Sequence, residues 1–153
     1  MSRQIKVERI KEGTVIDHIS CGQALNVMRI LGITKEYPST AVTVAMNVSS
    51  PKSGRKDIVK IEGRELKGDE VDKISLISPH ATINIIRNSG VVEKRNVSLP
   101  VTLEGVVTCA NPNCITRFED TVSKFKVERR DPIRLRCLFC ERVMEQKAVI
   151  NQF

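Results

Sequence analysis

Four of the five cysteines fall in the last third of the chain, as Cys109-x4-Cys114, a gap of 22 residues, and Cys137-x2-Cys140. Two close pairs of soft thiolates on tight turns can close a tetrahedron around one Zn2+. Asn111-Pro112-Asn113 supplies turn residues inside the first pair. Sulfur fills all four positions and leaves none for water or substrate, so such a site is expected to be structural rather than hydrolytic. A segment of about 50 residues buries little core, which makes a metal an expected source of its stability. The same thiols could form two disulfides, which need an oxidising compartment, or hold an iron–sulfur cluster. Zinc is the reading the spacing favours. Cys21 stands apart near a helix start, where a dipole could activate it; a partly buried small residue is the reading preferred.

The remaining chemistry is cationic. Lys56 and Lys60 are four apart and project on one face if the segment is extended, and Lys94 sits on a later strand. Ammonium groups converging from neighbouring strands suit a polyphosphate, although a solvated charged face fits the same pattern. The two histidines, His18 and His80, lie near no nucleophile motif, and no Walker or dinucleotide fingerprint is present. Asp17 and His18 are adjacent on a strand and are expected to point to opposite faces, which argues against an acid/base pair. The chain is read as having no catalytic chemistry of its own.

Positioning these groups requires two modules. Thr14 to Ile19 reads as a strand, with Ile5 to Ile10 as an earlier extended segment. Ser20 is the expected N-cap of a helix with Ala24, Val27, Met28 and Leu31 on one face, stopped by Gly32. Strands follow at Thr40 to Val48 and Asp57 to Glu62. A second helix carries Val71, Ile74 and Ile77 and ends before Pro79. Ala81 to Arg87 and Val91 to Arg95 form a hairpin about Asn88-Ser89-Gly90. The order β-α-β-β-α-β plus a hairpin strand is the split βαβ, ferredoxin-like arrangement. The expected fold is therefore α+β, with a small all-β, zinc-ribbon-like module after it. That module's strands are expected at Gly105 to Cys109, Lys124 to Arg129, Ile133 to Cys137 and Arg142 to Ile150. An uncharged stretch around Pro100 places the division at 1–97, a linker at 98–103, and 104–153.

The 153 residues are 41 % apolar and 28 % charged, as in a soluble globular protein. No apolar run approaches the roughly 20 residues of a membrane helix, and the N-terminus lacks the apolar core of a signal peptide. A cytoplasmic protein without membrane contact is expected. The net charge of +7 raises the question of nucleic acid. Residues 1–100 hold 16 Lys and Arg against 11 Asp and Glu, and residues 101–153 hold 9 against 7. A nucleic-acid-binding ribbon would need stacking aromatics or a basic face on the second module. It offers only Phe118, Phe125, Phe139 and Phe153, with Arg129, Arg130, Arg134 and Arg136 as the best support. No nucleic-acid partner is expected.

The segments Val7 to Ile19, Gly54 to Glu62 and Ala81-Thr82-Ile83-Asn84, followed by the cysteine pattern, are similar to the regulatory chains of aspartate carbamoyltransferase over almost the whole length. The resemblance implies an effector domain that binds CTP and ATP and pairs into a regulatory homodimer. It also implies a zinc domain docked on a catalytic chain of pyrimidine biosynthesis, and allosteric control passed from one to the other. By position, Lys56, Lys60, Lys94 and His18 would face the triphosphate, and Asp17 and Lys60 would reach the ribose. Val7, Glu8, Ile10 and Val91 would line the base pocket, with Asn84 and Ile86 beside it. Cys109, Cys114, Cys137 and Cys140 would hold zinc, and Asn111 and Asn113 would face the catalytic chain. Ser89 stands where the family often has tyrosine, so stacking on an aromatic ring is not assumed.

Overall fold

The structure, a computed structural model, describes residues 10–33, 41–52 and 54–153. Val7 and Glu8, most of the Ile5 to Ile10 segment and Thr40 lie outside the described residues.

The first module runs β1 (Gly13–Ile19), α1 (Ala24–Ile30), β2 (Val42–Ser50), β3 (Gly54–Glu62), α2 (Gly68–Ile77), β4 (Thr82–Arg87) and β5 (Gly90–Asn96). Its five-stranded sheet has the order β2-β3-β1-β4-β5, with every neighbouring pair antiparallel. This is the expected split βαβ topology with one added hairpin strand. The core lies between the sheet and the helices. Ile16, Val59 and Ile83 meet Val27, Ile74 and Ile77, all at most 3 % exposed. Each such aliphatic contributes about 1.5–3 kcal/mol on burial. Gly13 begins β1 at φ 143°, and a Cβ there would stand 2.1 Å from the Ile61 carbonyl oxygen, so only glycine lets β1 approach β3.

The helix ends differ in how they are closed. Gly32, at φ 72°, stops α1 as expected, and the Ile33 N–H returns to the Met28 carbonyl. Ser20 does not cap α1. The N-cap is Gln23, which makes no side-chain cap; Ser20 only accepts the Gln23 N–H through its carbonyl. At α2, Glu70 accepts the Lys67 N–H and an Arg64 guanidinium nitrogen. Arg64 also donates to the Leu31 carbonyl, which ties the end of α1 to the start of α2.

The second module contains β6 (Thr102–Glu104), β7 (Lys124–Arg130), β8 (Ile133–Cys137), β9 (Val143–Glu145) and the short helix α3 (Gln146–Ile150). Its sheet order is β6-β7-β8-β9. Two local expectations are corrected. Gly105 to Cys109 is not a strand; the first strand lies earlier, at Thr102–Glu104, where Leu103 is 1 % exposed and pairs with Phe125. The stretch from Arg142 to Ile150 is a strand only to Glu145, after which the chain coils so that Val149 reaches the core.

The modules share a packed boundary. Leu76 of α2 belongs to the core of the second module, while Ile150 and Phe153 pack against the core of the first. An exposed side-chain contact, His80 Nε2 to Asp131 Oδ2 at 2.7 Å, also crosses it. Among the described residues no helix is long and apolar enough to cross a membrane.

Candidate functional site

Strands β7 and β8 and the loops around them bring the two cysteine pairs together. The knuckle after β8 closes through the Glu141 N–H on the Cys137 carbonyl and the Cys137 N–H on the Arg142 carbonyl, with Glu141 at φ 63°. In the other knuckle the Cys114 N–H bonds the Asn111 carbonyl, and Arg117 holds the Cys109 carbonyl at 3.0 Å. All four Sγ atoms lie within 4.8 Å of one another. Cys109 and Cys140 are separated by 3.6 Å, and Cys114 and Cys137 by 3.8 Å. A tetrahedron with Zn–S near 2.3 Å has edges of about 3.8 Å. The set therefore fits a single zinc ion. It is too tight for a cluster of several irons, and all four thiols are free rather than paired as disulfides.

The thiols are unlike one another without a dication among them. Burial pushes Cys109 up to about 12 and raises Cys137 as well. For Cys140 burial is outweighed by hydrogen bonds from the Asn111 side chain and the Arg142 backbone, and the thiol falls to about 6. Cys114 is lowered chiefly by the Thr116 hydroxyl. A bound zinc ion supplies the charge that lets all four serve as thiolate ligands and ties the two knuckles together. Asn111 also accepts the Asn113 N–H at 3.0 Å, so its amide is engaged inside the knuckle, whereas Asn113 is exposed. Ile115 and Phe118 after one pair, and Leu138 and Phe139 within the other, form an exposed apolar rim around the cysteines.

The predicted effector residues that the structure describes fall on the face of the first sheet opposite the helices; Val7 and Glu8 lie outside the described residues. In β3, Asp57, Val59 and Ile61 turn to the core, leaving Lys56, Ile58 and Lys60 on the open side. Register then places Lys60 opposite Val15, Val15 opposite Asn84, and Asn84 opposite Lys94. These four residues make one row across four strands. A register shift in β5 places Val91 opposite Ile86 on the same side. Beside the row lies a cavity of about 190 Å³, lined by Ile10, Val15, Lys60, Ile86, Ser89 and Val91. Val15 is a lining residue that sequence reasoning missed; alternation puts it on the face opposite Ile16, and only the register brings it beside Lys60. A wider cleft of about 910 Å³ opens at the other end of β1, walled by His18, Cys21, Lys52, Arg55 and His80.

Asp17 and His18 are not parted by strand alternation. His18 sits at φ 55°, inside a register shift of β1, and its Nδ1 lies 4.0 Å from Asp17 Oδ1. The imidazole Nδ1 lies 3.1 Å from Thr82 Oγ1. The Asp17 carboxylate is taken by Lys56, at 2.9 Å, and by the His18 N–H. Burial works against its ionisation, but these contacts outweigh it and hold the carboxyl below the usual range. Lys56 is thus paired, while Lys60 and Lys94 have no acidic partner among the described residues. Cys21 is exposed rather than partly buried, with Sγ 3.4 Å from Asn47 Oδ1.

A split βαβ module with an open cationic sheet face, followed by a four-cysteine zinc module with an apolar rim, defines a sensing and docking protein rather than a metalloenzyme. Comparison with known proteins makes this particular. Residues 5–98 match the family model described as aspartate carbamoyltransferase regulatory chain, allosteric domain, and residues 101–150 match the metal binding domain of the same chain. The chain is 52 % identical over 147 residues to the aspartate carbamoyltransferase regulatory chain of Pyrococcus horikoshii, covering 96 % of this chain and 97 % of that one. It is 54 % identical over 144 residues to that of Methanococcus aeolicus, covering 94 % and 91 %. The chain belongs to the aspartate carbamoyltransferase regulatory chain family, and its role is regulatory and non-catalytic.

Proposed function

We propose that the first module, residues 1–97, binds a nucleoside triphosphate such as CTP or ATP on its open sheet face. The second, which begins at β6 (Thr102–Glu104) inside the linker expected at 98–103 and runs to residue 153, docks on the catalytic chain of aspartate carbamoyltransferase. The observation that carries the nucleotide reading is the row Lys60, Val15, Asn84 and Lys94: it holds two cations without acidic partners among the described residues, and Lys60 and Val15 line the small cavity beside it. The base enters that cavity against Ile10, Ile86 and Val91, with Asn84 alongside. Asp17 and Lys60 reach the ribose. The phosphates meet Lys60, Lys94, His18 and Lys56, the last exchanging part of its pairing with Asp17 for the anion. At the other end Asn113 and the apolar rim face the catalytic chain, and Asn111 holds the knuckle that presents them. The shared boundary at α2 and α3 supports passage of the effector signal between modules. Two such chains pair as a homodimer, in the cytoplasm.

The test is calorimetry of CTP and ATP on the regulatory chain alone. A charge-assisted contact is worth roughly 1.5–3 kcal/mol, about ten- to a hundredfold in affinity. Lys60→Ala and Lys94→Ala should weaken both nucleotides together, because the phosphates are common to both. Val91→Ala should change their ratio instead. Wild-type affinity in both lysine variants would leave the row a solvated face.

A further inference from the structure

The effector face depends on two breaks in the sheet, and one buried carboxylate sits where both occur. Asp57 of β3 is 0 % exposed. A carboxylate in that position needs hydrogen bonds to be tolerated. No cation pairs with it among the described residues, and its partners are backbone N–H groups from two other elements. Oδ2 accepts Gly22 and Ala24 at 2.9 and 3.0 Å, and Oδ1 accepts Asn47 at 2.8 Å.

Each partner has a reason to need an acceptor. Ala24 is the first residue of α1, whose opening N–H groups have no partner within the helix and whose own N-cap side chain supplies none. Asn47 stands at φ 58°, where β2 shifts register against β3 between Ala45 and Val48. On the other side β1 shifts against β3 between Ile16 and Ile19, and Ile19 is the residue paired with Asp57. Both neighbours of β3 therefore carry an irregularity at its level. The break in β1 turns both Ile16 and Ile19 into the core and leaves Asp17 to meet Lys56. Lys56 precedes Asp57 on the strand and points to the opposite face, so the anchor of one sets the position of the other.

We propose that Asp57 is a positioning residue of the effector site: by holding the backbone of Gly22, Ala24 and Asn47, its buried carboxylate fixes the two strand breaks that place Asp17, His18 and Lys56 at the phosphate end. This rests on the reading of the open sheet face as a nucleotide site. Asp57 touches no ligand and acts only through these neighbours.

Asp57→Asn keeps the shape but exchanges one acceptor oxygen for a donor that faces a backbone N–H. In the full chain, amide exchange at Gly22, Ala24 and Asn47 should speed up, with zinc content unchanged. CTP affinity should fall about tenfold or more, while cytidine monophosphate should lose much less, because only the phosphate end is displaced. Wild-type CTP affinity with these amides freed would overturn the proposal. So would an equal loss for both ligands that merely follows a fall in Tm. Should the variant not fold, the wild-type chain carries the test: CTP should slow exchange at the same three amides, and unchanged exchange there while Lys60 and Lys94 respond would count against Asp57. A wild-type chain that binds no triphosphate would instead overturn the nucleotide reading itself.

Discussion

The first module buries branched aliphatics between a five-stranded sheet and two helices, whereas the second closes a four-stranded sheet around Phe125 and four cysteines. The first has enough layer contact to be held by burial. The second spends part of its small interior on Cys109, Cys114 and Cys137, all at most 1 % exposed, so its cross-link is a metal rather than more core. The layered module carries its cationic face on the outside of a sheet interrupted by register shifts in β1, β2 and β5. The metal module leaves its apolar rim exposed, as a docking surface requires.

The largest effect expected from this difference follows removal of zinc. Structural zinc binding is worth on the order of 10–16 kcal/mol in small metal domains. A strong chelator, or Cys114→Ser, should unfold residues 104–153 and abolish assembly with the catalytic chain, while amide exchange in β1, β3 and β4 stays slow. Full metal content and assembly in Cys114→Ser would break the four-cysteine assignment. Next comes the core of the first module. Ile83→Ala should cost roughly 2–5 kcal/mol, read as a lower urea midpoint, with zinc retained. Leu76→Ala sharpens the comparison, because Leu76 stands on α2 yet packs in the second core. It should cost a similar roughly 2–5 kcal/mol but loosen β7 and β8 more than β1 and β4, as hydrogen exchange would show.

The smallest effect is electrostatic. The folded pKa of Asp17 is depressed by Lys56 and the His18 N–H against an opposing burial. Its contribution is complete above the unfolded value of about 3.9 and is lost as pH falls through the lower folded value. Stability should therefore decline on acidification, and Asp17→Asn should flatten that part of the curve by less than about 1 kcal/mol. Urea midpoints between neutral pH and strong acid measure it. An unchanged acid limb would show that the pair with Lys56 contributes nothing.

The sequence by itself marked the four cysteines as a ligand set that favours zinc, with the sulfur spacing then selecting a single ion, and it gave the element order of the first module, because periodicity and turn residues mark each element. It also put Lys56 and Lys60 on one strand face, which alternation alone dictates. Only the tertiary structure decided the rest. The alignment of Lys60 with Val15, Asn84 and Lys94 depends on register, and register is set by backbone breaks at His18, Asn47 and in β5 that no local pattern announces. Asp57 reads in sequence as one more charge in a basic strand; its donors come from positions 10 to 35 residues away. The helix α3 was hidden because five residues carry too little periodicity to distinguish helix from strand, and the burial of Val149 against the second core chose between them. Local propensity fixes what a segment can be, and packing against distant residues fixes which of those options it takes.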